Sequence, residues 1–152
     1  MQTAERIESL FQELGSNLEQ KGLGEPFYIE GIPRHPEMYA AHNFHFFLRL
    51  ETNPCAVIYL KGVPAASNDS ELQVYAALIR DTDRFAVASK LDDSWRAHMQ
   101  IGLSIEEFEQ AMLLTNKRTV AHVSTRKVPY STEALERLIF DNFSQEQIQS
   151  AI

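Results

Sequence analysis

Two segments of alternating apolar and polar residues constrain the fold of this chain most. Residues Trp95–Ile101 carry apolar side chains at the odd positions and Arg96, His98 and Gln100 between them. Residues Phe44–Leu50 carry apolar side chains at the even positions. Because successive side chains of a strand point to opposite faces of a sheet, both segments are predicted to be strands. We expect one face of the sheet to lie on a core and the other to face solvent or a partner.

Other segments add helices and further strands around these two. Apolar residues recur at helical spacing from Thr3 to Gln20, and Gly22 is predicted to end that helix. A turn at residues 52–54 joins Phe44–Leu50 to a strand at Ala56–Lys61, which predicts an antiparallel hairpin. Further strands are predicted at Phe27–Ile32 and Arg84–Leu91, and further helices after Asn68, after Ser104 and at Thr132–Asn142. Ser144 and Gln147 are predicted to cap a short last helix. The segment Thr119–Val123 fits either a helix end or a short strand.

The order of these elements predicts an α+β fold. We expect a mainly antiparallel sheet of about five strands covered by helices, in the order α-β-β-β-α-β-β-α with a C-terminal helical tail. A chain of 152 residues and 17.3 kDa can bury about 69% of its surface on folding, which is enough for one core. Residues 1–152 are therefore predicted to form a single domain, with a core over about 3–116 and a helical extension over about 117–152.

Composition narrows the classes of protein further. No apolar stretch approaches the length of a membrane span, and residues Met1–Arg6 do not resemble a signal peptide. Cys55 is the only cysteine and cannot form an intrachain disulfide. These features together predict a cytoplasmic protein.

The charge of the chain argues against general binding of nucleic acid, with one local exception. The formal net charge is −7, whereas binding to phosphate backbones favours clustered cations. Residues 116–130 nevertheless hold Lys117, Arg118, Arg126 and Lys127 and no acidic residue. We interpret the segment Lys117–Lys127 as a helix end followed by a solvated loop, with binding of nucleic acid as the less favoured alternative.

The element order resembles the secretion-chaperone-like fold, which is shared by small type III secretion chaperones and YbjN-like bacterial regulators. The resemblance covers about Thr3 to Asn116 and is one of order and periodicity. It implies a homodimer that binds an extended segment of a client protein.

Side chains suited to catalysis are few in the sequence. His35, His42, His45 and Cys55 could serve a small enzyme or small-molecule sensor if they converge in one pocket. Strand alternation would send His42 and His45 to opposite faces, which disfavours a shared metal ion. Glycine-rich phosphate loops are absent from the sequence. We therefore predict no catalytic residue, no metal site and no cofactor.

A mixed aromatic and polar sheet face is the main candidate for function. Phe47 faces away from the predicted core, and Val57 and Tyr59 on the partner strand share that side in one register. Aromatic residues and arginine are typical of interfaces, and Arg96 and His98 extend the face. The alternative is that the C-terminal helix covers this face with Leu135, Leu138 and Ile139. We favour a non-enzymatic protein-binding module, chaperone-like or regulatory, that binds a protein partner through an exposed sheet face or groove.

Overall fold

The computed structural model describes residues 3–27, 44–64, 71–80 and 119–150. Its first element is the helix α1 (Thr3–Gln20). Its apolar stripe is buried, as the periodicity predicted. The helix ends because Gly22 adopts a φ of 75°. The N–H of Gly22 donates to the carbonyl of Glu19, and the N–H of Leu23 to that of Leu18, both at 3.0 Å. This pair of bonds is the Schellman arrangement that favours glycine.

Five strands form an antiparallel open sheet within the described residues. Each strand pairs with the one before it along the chain, so the spatial order equals the sequence order. The strands are β1 (Gly24–Phe27), β2 (Phe44–Leu50), β3 (Ala56–Pro64), β4 (Glu71–Arg80) and β5 (Thr119–Pro129). The predicted α+β class, the antiparallel sheet and the β2–β3 hairpin are confirmed.

Two helices follow the sheet, and side chains cap both of them. In α2 (Thr132–Asn142) the hydroxyl of Ser131 accepts from the N–H of Ala134 at 3.3 Å. Before α3 (Gln145–Ser150), Ser144 and Gln147 bond reciprocally from backbone N–H to side-chain oxygen, at 2.9 and 3.1 Å. The helix predicted at Thr132–Asn142 and the short helix predicted from Ser144 and Gln147 are both present.

The described helices pack against one face of the sheet, which we call the first face. Even-numbered residues of β2, β3 and β4 build this face, and the apolar stripes of α1 and α2 cover it. Leu135, Leu138 and Ile139 of α2 belong to this cluster. The alternative in which they cover the opposite face is therefore wrong. Residues 119–150 supply a strand and two helices to the same core and are not a separate helical extension.

The element predicted as a helix after Asn68 is the strand β4, so the order within the described residues is α-β-β-β-β-β-α-α. Its residues are buried on both faces, with Leu72, Val74 and Leu78 on the first face and Tyr75 and Ile79 on the other. A strand buried on both sides shows no apolar–polar alternation. Its apolar run therefore matched helical spacing as well as strand spacing.

Some predicted elements lie outside the described residues. These are the strands at 84–91 and 95–101, most of the strand at 27–32, and the helix after Ser104. The ambiguous segment Thr119–Val123 is the beginning of β5. Within the described ranges, no helix combines the length and apolar content that a bilayer crossing requires.

Candidate functional site

The face of the sheet opposite the first face holds three of the five side chains predicted to bind a partner. Phe47 lies directly across from Tyr59 in the β2–β3 ladder, and Val57 lies two residues before Tyr59 on the same side. We call this the second face; β4 adds Tyr75, Ala77 and Ile79 to it. Arg96 and His98 lie outside the described residues.

The second face is buried, which differs from the expected exposed surface. Phe47 is 2% exposed, and Val57 and Tyr59 are 0% exposed. None of the three belongs to the core cluster that contains the helices. Alternation correctly grouped these side chains on one face, but it predicted that this face is open because His45 and Arg49, two positions on either side of Phe47, are polar.

Aromatic rings run across the second face. The rings of Phe47 and Tyr59 are tilted by 35°, with centroids 5.0 Å apart. Those of Tyr75 and His122 are 6.3 Å apart and reach β5, the last of the described strands in the sheet. Offset aromatic pairs of this kind stabilise a sheet by roughly 0.5–1.5 kcal/mol beyond the area they bury.

Lys61 is the most unusual ionisable group on the second face. It is 0% exposed and lies directly across the β3–β4 ladder from Tyr75. Burial lowers the pKa of its ammonium group from 10.5 to about 7. Burial, and to a lesser degree the nearby Tyr75, raises the pKa of the Tyr59 phenol well above its ordinary value.

A lysine of this kind is a candidate for chemistry, because a neutral amine is a nucleophile and a base. Two clefts border the neighbouring strands, and the described residues that line them do not include Lys61, Tyr59 or Tyr75. The sequence pattern did not single out Lys61, because the predicted strand ends at that residue. The strand continues through Gly62 to Pro64, which puts Lys61 inside the sheet.

Cys55 and His45, two members of the alternative enzymatic site, lie at opposite ends of the β2–β3 hairpin. The backbone N–H of Cys55 donates to the Asn53 side chain at 3.1 Å in the turn. His45 pairs in the ladder with Lys61, six residues further along β3. At 3.3 Å per residue these positions are roughly 20 Å apart, so they do not act on one ligand. His35 and His42 lie outside the described residues.

The clefts lie along β1, at one end of the sheet. One has a volume of about 360 Å³ and is lined by Phe11, Ser16, Glu19 and Phe46, among others. The second, of about 430 Å³, is lined by Glu19, Gly24, Glu25, Arg49, Leu50, Glu51 and Pro54. Three of its lining residues are exposed glutamates. In the part of the chain that the structure describes, no three His, Cys, Asp or Glu side chains are grouped to hold a metal ion.

The strand β5 lies at the other end of the sheet and is basic. Val123 and Val128 face the core, whereas Arg126 and Lys127 are exposed. No residue from Thr119 to Pro129 is acidic. The interpretation of this basic segment as a helix end and a loop is wrong for Arg126 and Lys127, which lie in a strand. Lys117 and Arg118 lie outside the described residues.

Another cation lies beside the end of β5. The guanidinium carbon of Arg6, on α1, is 4.0 Å from the centroid of the Tyr130 ring. A cation in this position is attracted by the negative face of the ring. An acidic residue also lies near this end of β5, since Glu71 on β4 pairs with Pro129.

No family model, no curated protein and no solved structure matches this chain.

Proposed function

We propose that this protein is a non-enzymatic binding module that accepts an extended segment of a protein partner at the outer edge of β5. The observation that supports it is the position of β5, an eleven-residue strand that comes last in the order of the strands that the structure describes. A terminal strand has backbone N–H and C=O groups on its outer side that the sheet does not use. An added strand bonds to such groups, and its side chains give specificity.

The β1 edge suits strand addition less well. β1 has four residues, and one of them is Pro26, which has no N–H to donate. The second face is also a poorer candidate than the β5 edge, since Phe47, Val57 and Tyr59 are buried. Partner binding through that face would first require it to be uncovered.

The wider sequence-based expectations remain part of the proposal. A chaperone-like or regulatory role in the cytoplasm agrees with capture of an extended segment. We place the expected homodimer contact away from β5, because two paired β5 strands would bring Arg126 and Lys127 of both copies close together. The separation of Cys55 from His45 supports a role without catalysis.

The test uses three capped ten-residue peptides of alternating Thr and Val, with two central residues that are Glu-Glu, Gln-Gln or Lys-Lys. Hydrogen exchange is followed amide by amide in the full chain by NMR. We expect at least one peptide to protect alternate amides of β5, because only the N–H groups on the outer side gain a partner. If no peptide protects β5, or if protection appears on both sets of β5 amides and across the sheet, the proposal is wrong.

A further inference from the structure

We draw no further inference here: the strongest candidate, the cleft of about 430 Å³ beside β1 that Glu19, Glu25 and Glu51 line, is a cluster of acidic side chains, and nothing among the described residues shows what covers the cleft or points to a ligand in it.

Discussion

Replacing Lys61 with methionine should stabilise the protein, because burial disfavours the charged form of its amine. The pKa of Lys61 falls from 10.5 to about 7 on folding. At about 1.4 kcal/mol per pH unit, this fall corresponds to a cost on the order of 5 kcal/mol for the protonated amine. Replacing a buried ion pair by apolar residues of similar volume is often neutral or stabilises a protein by roughly 1–4 kcal/mol. We expect Lys61→Met to raise the free energy of unfolding at pH 7 by an amount in that range.

The pH dependence gives a sharper test of the same argument. Between pH 7 and 10.5 the unfolded chain binds the Lys61 proton and the folded chain does not, so stability rises with pH in that window. Below pH 7 both states are protonated, and the cost is full and constant. Wild type should therefore gain up to about 1.4 kcal/mol per pH unit relative to Lys61→Met above pH 7.

Urea unfolding followed by circular dichroism, from pH 6 to pH 9.5, measures both effects. These pH values lie below the pKa of the Tyr59 phenol, which burial raises. Lys127→Met, at an exposed position on β5, is the matched control and should show the wild-type pH dependence. Parallel curves for wild type and Lys61→Met would refute the reasoning. A clear loss of stability in Lys61→Met would also refute the reasoning, because the free energy gained from the contacts of the amine would then exceed the cost of its desolvation.

Three further substitutions test the fold by the same unfolding measurement. Gly22→Ala should cost about 1 kcal/mol, because a φ of 75° disfavours a side chain even where space is available; an unchanged midpoint would contradict this. Gly62→Ala should cost about 1–3 kcal/mol, since its Cβ would lie 2.9 Å from the Phe11 ring, and Phe11→Leu in the same chain should recover part of the loss. Asn53→Ala should cost about 1–3 kcal/mol, because its buried amide donates to the carbonyl of Ile148 at 2.7 Å; a neutral result would show that this bond to α3 contributes nothing.

The elements that the sequence predicted well are those with a strong contrast between apolar and polar positions. The helix Thr3–Gln20 has one apolar stripe and a glycine stop, and Thr132–Asn142 is bounded by a serine cap. The hairpin strand Phe44–Leu50 alternates cleanly. In the two helices one face is exposed, and in the strand polar residues alternate with apolar ones, so the period of the pattern identifies each element.

The strands that the sequence analysis missed lack this contrast or interrupt it. β4 is buried on both faces. β5 contains register shifts, so that Val123 and Val128 both face the core although they are five residues apart. A β-bulge of this kind breaks the period of two that identifies a strand.

The candidate site was only partly accessible from sequence for the same reason. Alternation grouped Phe47, Val57 and Tyr59 on one face, but it does not report what covers a face. The basic segment was visible as a run of charge, whereas its place at the edge of the sheet depends on β5 pairing with β4.

The spacing of the strands along the chain has a consequence for the order of folding. Five residues separate β2 from β3 and six separate β3 from β4, whereas thirty-eight separate β4 from β5. Closing the longest of these connections costs roughly 2 kcal/mol more chain entropy than closing the shortest. The three central strands can therefore assemble first, and the strand proposed to recruit a partner would be the last to dock. A binding surface completed at that late step would signal to a partner that folding has finished.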